Sequence, residues 1–304
     1  MKKIALVLPN TSYSPEIYAL NSYLENNGYS NDIISLHELY QYQHEYSLAY
    51  IKMGFIPVWD RRLKIPQVHD YASLSTGKYK TLKNFMKKYL SHKPVFRSFL
   101  NNSVKTRMNF KDNIPFIYRD MGAENFFFDK VEVKKEYDFC YVGSIIDDRE
   151  VNKVLDNFIN SKYTIVLVGE AKLSNLEKYK SHKNIIFLGK KDRVETSNIM
   201  KRARIGFNYM PNIDPWNTQT STKVIEYLAA GLMVISNQYQ WINEFQYQNN
   251  VYYYDDINEV DLSNFLSVYE KDIEEIKKKN FSCLKWDSIF DESQILKHIN
   301  KLKK

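Results

Sequence analysis

The densest chemistry in the chain lies between Thr218 and Ser236, which read Thr-Gln-Thr-Ser-Thr-Lys-Val-Ile-Glu-Tyr-Leu-Ala-Ala-Gly-Leu-Met-Val-Ile-Ser. A hydroxyl-rich turn enters a helix near Thr222, and Gly231 stops it. The first turn of such a helix presents free backbone N–H groups, including those of Ser221 and Thr222, and its dipole attracts phosphate. Lys223 stands in that turn, where a cation opposes the dipole; a bound anion resolves the conflict. Glu226 follows three residues later on the same face. A carboxylate there accepts hydrogen bonds from ribose hydroxyls. The same residues also suit a capping box with a solvated Lys and Glu, and the residues alone leave both readings open.

A second segment, Tyr141-Val142-Gly143-Ser144-Ile145-Ile146-Asp147-Asp148-Arg149, leaves a strand at Gly143. Arg149 has the fork geometry to grip phosphate oxygens in bidentate fashion, or it pairs with Asp147, Asp148 or Glu150 on the surface. Gly189, in Phe187-Leu188-Gly189-Lys190, either lets a nucleobase approach the backbone or serves an ordinary turn. Tyr209 and Trp216 are candidates for stacking on a sugar or base, and equally for packing. In the first half, the polar run Val68–Gly77 carries His69, read as a loop residue near an acceptor. Arg119 and Asp120 close that half, and Asn10, Thr11 and Ser12 follow the first strand at its carboxyl end. No metal site is expected. The six His are scattered, and His-Glu-x-x-His and Asp-x-Asp are absent. Cys140 and Cys283 lack the spacing of a zinc or disulfide framework.

Positioning these groups requires alternating strands and helices. A strand at Ile4–Leu8, a helix at Pro15–Asn26 and a strand at Asp32–Leu36 make a βαβ start without Gly-x-Gly-x-x-Gly. From Gln41 to Arg119 the pattern blurs, with a helix near Tyr79–Leu90 and strands near Phe96–Leu100 and Pro115–Tyr118. The second half is regular. Strands are expected at Tyr137–Val142, Tyr163–Val168, Ile185–Leu188, Ile205–Tyr209, Met233–Ser236 and Val251–Tyr254. Helices separate them at Arg149–Asn160, Leu173–Ser181, Arg193–Arg202 and Thr222–Ala230, and another spans Leu262–Lys279. Such alternation gives parallel sheets covered on both faces, with ligands at the carboxyl ends of strands. The boundary is placed in the basic, aromatic stretch Asn125–Lys135. The domains are then 1–130 and 131–285, with helical segments at 286–304 packing back on the first.

The Ser221–Val234 segment resembles the donor-binding motif of GT-B glycosyltransferases of the glycosyltransferase family 4-like type, Pro/Ser-Thr-Lys-x-x-Glu-Tyr-x-Ala-x-Gly-x-Pro-Val. Met233 stands where that family has Pro, and Thr218 where many members carry a second Glu. Tyr141–Arg149 is similar to the family's Val-Gly-Arg-Leu-x-x-x-Lys-Gly loop, with Arg149 at the Lys position and Ser144 at the Arg position. The resemblance covers most of 137–245. It implies two Rossmann-like domains with parallel sheets facing across a cleft. It further implies that Glu226 binds the ribose, that the Ser221–Lys223 helix start and Arg149 hold the diphosphate, and that Gly143, Ser144 and Gly189 border the donor. His69 matches the His that many GT-B enzymes bring near the transferred sugar. The implied activity is metal-independent transfer of a sugar, hexosyltransferase-like (EC 2.4), with retention of configuration. The donor is a UDP- or GDP-type nucleotide sugar, no cofactor is used, and the acceptor is a glycan or lipid-linked molecule in bacterial capsule or O-antigen biosynthesis. The alternative is a nucleotide- or glycan-binding subunit that keeps the fold without turnover.

Composition agrees with a globular two-domain protein. The chain has 304 residues, 44% hydrophobic and 26% charged, and no apolar run of membrane-spanning length. Its formal charge of +7 favours anionic partners. A nucleic-acid partner is suggested by charge alone, without any recognisable module. The short apolar start before Pro9 reads as a strand and not as a signal peptide, and the expected location is the cytoplasm, at the inner face of the plasma membrane. The basic tail 297–304 is the sequence's candidate for peripheral contact with an anionic membrane.

Overall fold

The computed structural model describes residues 3–8, 14–52, 55–75, 77–145, 151–254, 262 and 265–302. The chain divides into two units, Met1–Gly122 with Lys285–Lys304, and Ala123–Leu284. The boundary falls at 122/123 and not at 130/131. Glu124 is ion-paired with Arg193, and the Phe126 carbonyl accepts from Lys201 Nζ at 2.6 Å, so this stretch is anchored in the second unit.

The first unit is built on a parallel sheet of β1 (Lys3–Leu8), β2 (Asn31–Ser35), β3 (Tyr46–Lys52), β4 (Gln67–Tyr71), β5 (Phe96–Phe99) and β6 (Phe116–Tyr118), ordered β2-β1-β3-β4-β5-β6. Alternation along β1 sends Ile4 and Leu6 to one face and Ala5 and Val7 to the other. The first face packs on the helix Pro15–Asn26 and on two helices from the chain end, Trp286–Ser293 and Ile295–Lys301. Trp286 stacks on Phe290, which meets Tyr23 at a centroid separation of 5.1 Å. The second face packs on Leu39 of the helix Leu36–Tyr42.

Sequence reading missed β3 and β4. All five β4 residues are buried, yet Gln67, His69 and Asp70 are polar, so hydrophobicity gives no strand signal there. The short helices Leu36–Tyr42, Asn102–Met108 and Gln240–Glu244 were also missed.

The second unit carries β7 (Tyr137–Val142), β8 (Ile165–Val168), β9 (Ile185–Phe187), β10 (Ala203–Asn208), β11 (Met233–Asn237) and β12 (Val251–Tyr254). Its parallel order is β12-β11-β10-β7-β8-β9. Phe139, Phe158, Phe207 and Phe265 fill one aromatic cluster across it. The expected helix at Leu262–Lys279 is two, Phe265–Val268 and Glu270–Lys278. In both sheets the chain reverses its direction of travel once, at β1/β3 and at β7/β10. Ligands in open parallel sheets sit outside the carboxyl ends of strands at such switch points. Among the described residues no helix is long and apolar enough to cross a membrane.

Candidate functional site

The switch point of the second sheet is where the sequence motifs converge. Lys223, in the helix Thr222–Ala229, is buried. Its ammonium lies 4.7 Å from the centroid of the Tyr141 ring on β7 and 3.4 Å from the carbonyl of Tyr209, just past β10. A Cβ added to Gly143 would lie 3.8 Å from the Lys223 side chain. The two motifs, far apart in sequence, therefore meet at the carboxyl ends of the two strands flanking the switch. The helix start has no side-chain cap. Ser221 instead turns its hydroxyl to Asn208 Oδ1 at 3.3 Å, within a buried network of Asn208, Ser236 and Tyr239. Thr222 stands half-buried beside it.

Glycines continue this edge across the next two strands. Gly143, Gly169 and Gly189 follow β7, β8 and β9, and all have positive φ. Gly143 donates to the Val168 carbonyl and Gly169 to the Gly189 carbonyl, both at 2.9 Å. A Cβ at Gly169 would stand 1.9 Å from the Gly143 carbonyl oxygen, so only glycine fits. Ser144 is half-buried next to this contact. The row leaves backbone, without side chains, along the strand ends, which is what a flat ring or a diphosphate needs for close approach.

Glu226 is buried one turn below Lys223. Its Oε1 accepts from Arg193 Nη2 at 2.7 Å, while Arg193 also grips both Glu124 oxygens, at 3.0 and 2.6 Å. Burial raises the pKa of Glu226 above its ordinary value, and the Arg193 guanidinium pulls it back. Arg193 starts the helix Arg193–Lys201, which is closed by a capping box of Asp192 and Glu195. Tyr227, next in the motif, is structural. Its hydroxyl accepts from Val142 N at 2.9 Å, and its ring lies where a Cβ on Gly206 would come within 2.3 Å.

The first-unit candidates separate. His69 is not in a polar loop. It lies within β4, 5% exposed, its Nε2 3.1 Å from Gln67 Oε1, and burial with Arg97 and His92 pushes its pKa from 6.5 to about 3. Arg119 is 1% exposed and grips buried Asp70, with a shortest contact of 2.9 Å. Asp120 accepts from Met121 N through its side chain. Buried Glu16 pairs with half-buried Lys52 at 2.5 Å. Asn10, Thr11, Ser12 and Arg149 lie outside the described residues. Among the described residues no group of three or more His, Cys, Asp or Glu is arranged to hold a metal ion.

Sequence reasoning missed Arg193, Glu124 and Gly169. Gly169 carried a signal, since it follows an apolar strand as Gly143 does. The Arg193–Glu226 pair carried none, because 33 residues separate its members.

No protein-family model matches the chain. No curated protein matches its sequence. Solved structures match its fold. HepE (Alr3699) from Anabaena, in complex with UDP and glucose, is 11% identical with a TM-score of 0.69, over 99% of this chain and 100% of that one. AviGT4, a glycosyltransferase involved in avilamycin A biosynthesis, is 11% identical with a TM-score of 0.65, over 99% and 98%. A Listeria monocytogenes protein provisionally described as a UDP-N-acetylglucosamine 2-epimerase is 9% identical with a TM-score of 0.60, over 100% and 97%. At these identities the likeness shows the fold: a two-domain α/β chain of GT-B type.

Proposed function

We propose that the chain is a glycosyltransferase that takes a sugar from a UDP-type nucleotide sugar to a hydroxyl of a glycan or lipid-linked acceptor. The observation that carries this reading is the convergence of Lys223, the Gly143–Gly169–Gly189 row and Glu226 at the switch point of the second sheet. HepE, solved with UDP and glucose, and AviGT4, a glycosyltransferase, support it by sharing the fold. In the reaction the bond from the anomeric carbon to the distal phosphate breaks with its electron pair on the diphosphate. A bond to the acceptor oxygen forms, and its proton leaves with the departing diphosphate. Lys223, the helix-start N–H groups at Ser221–Lys223 and Arg149 neutralise that charge as it develops. Glu226, oriented by Arg193, holds the ribose. Retention of configuration and a role in surface polysaccharide assembly follow from the motif resemblance. His69 and Arg119 drop out as acceptor groups, since one is sequestered in a strand and the other is spent on Asp70.

Thermal unfolding with UDP, GDP and ADP tests the donor site. A nucleotide at a hundredfold its Kd stabilises by about 2.7 kcal/mol. UDP should give the shift, and Glu226→Ala should abolish it; no shift with any nucleotide removes the reading. The fold shared with the Listeria protein favours a second reading, epimerisation of a UDP-sugar. UDP release together with a glycosylated acceptor excludes it, as it excludes a binding subunit that keeps the fold without turnover.

A further inference from the structure

The helix Lys80–Tyr89 in the first unit is turned the wrong way for a globular protein. None of its residues is buried. Leu82, Phe85 and Tyr89, together with Tyr79 just before it, recur at helical spacing, and each is more than half exposed. Its link to the body is polar: Asn84 Oδ1 accepts from Ser75 N at 3.1 Å. The apolar stripe thus faces outward. It is continued by a neighbouring segment, since Val58 N donates to the Leu90 carbonyl and His92 N to the Ile56 carbonyl, both at 2.8 Å. That pairing sets Val58 and Trp59, also more than half exposed, beside the end of the helix.

Charge identifies what this surface meets. Between Asp70 and Asp112 the sequence holds 10 Lys and Arg and no Asp or Glu. Lys80 and Lys83 flank the stripe on the exposed side, and Arg61 and Lys64 lie just past Trp59, where Arg62 pairs with Asp60. A neutral protein groove would cover the apolar stripe, but it gives no reason for the excess of positive charge around it. A bilayer with anionic headgroups satisfies both: acyl chains take Leu82 and Phe85, the interface takes Trp59, Tyr79 and Tyr89, and phosphates take the lysines.

We propose that the outward face of Lys80–Tyr89, with Val58 and Trp59, docks the protein on an anionic phospholipid membrane. This moves the membrane contact from the basic tail expected from sequence to an ordered element of the first unit. It extends the acceptor half of the reading above but is tested apart from it, because vesicle binding needs no nucleotide.

The test is sedimentation of the full chain with vesicles of phosphatidylcholine, with and without phosphatidylglycerol. Binding is expected only with phosphatidylglycerol, weaker at high salt, and accompanied by a blue shift of tryptophan emission that Trp59→Phe removes. Leu82→Gln with Phe85→Gln should abolish binding. Lys80→Glu with Lys83→Glu should weaken it roughly tenfold or more. The tail reversal Lys297→Glu with Lys301→Glu should leave it unchanged. All substituted side chains are exposed, and the thermal transition of each variant checks its folding. Equal binding to both vesicle types, binding to neither, or loss only in the tail variant overturns the proposal. So does a concentration-dependent dimer that Leu82→Gln with Phe85→Gln dissolves, because a second copy then covers the face. Vesicle binding that persists while UDP fails to bind overturns the donor reading alone.

Discussion

Glu226 is useful to a ribose only as a carboxylate, and its burial works against that. With its pKa raised above the 4.5 of an ordinary glutamate, UDP affinity should fall on acidification while free carboxylates are still ionised. Arg193 opposes the rise, so in Arg193→Ala the acid limb of UDP affinity should move to higher pH. A limb that stays in place, measured by titration calorimetry across pH, would show that Arg193 does not hold Glu226 ready. His69 behaves oppositely. Its folded pKa, near 3, lies below the 6.5 of the unfolded chain, so on acidification the unfolded state takes the proton first. Stability should therefore decline from pH 6.5 toward pH 3, by up to on the order of 4 kcal/mol from this group. His69→Gln should flatten that part of a urea-denaturation profile. Glu226 was readable as a candidate site residue because its motif is local. The role of His69 was not, because a polar residue inside a buried strand has the same letters as one in a loop.

The strand ends depend on glycine to different degrees. Gly169→Ala places a methyl group on the Gly143 carbonyl, so the loops after β7 and β8 must separate. Folded yield should collapse, or UDP binding should vanish in whatever folds. Gly189→Ala meets nothing within 4 Å and carries only its positive φ, a cost of about 1–2 kcal/mol. Equal effects from the two substitutions, compared by chemical denaturation, would refute a packed glycine row. At this scale the second sheet was largely legible. Its strands are apolar runs such as Ile165–Val168, wholly buried and punctuated by glycine. The first sheet was half legible, since β4 hides Gln67 and Asp70 through partners elsewhere in the chain, His92 and Arg119, and His69 through Gln67.

For the whole molecule, the last twenty residues matter to the beginning of the chain. Trp286, Phe290, Ile295 and Ile299 share a core with Ile17, Leu20 and Leu24, and Gly122 lies so close to Trp286 that a Cβ would sit 3.0 Å from its backbone. A chain ending at Leu284 should lose the cooperative unfolding of the first unit and keep that of the second, along with a UDP shift. Calorimetry that finds a single transition shifted as a whole would show that the units do not unfold separately.

By itself the sequence determined the alternation of strand and helix, the two-domain α/β class and the local phosphate-type motif at Ser221–Glu226. These are written in contiguous residues, through apolar periodicity, capping hydroxyls and turn glycines. Only the tertiary structure decided which polar groups gather at the candidate site and which are spent in the core. It put Arg193 on Glu226, took Arg119 for Asp70, set Gly169 against Gly143 and left the face of Lys80–Tyr89 bare. A charge or a glycine acquires its role from what approaches it, and that neighbour is set by strand order and packing across the whole fold.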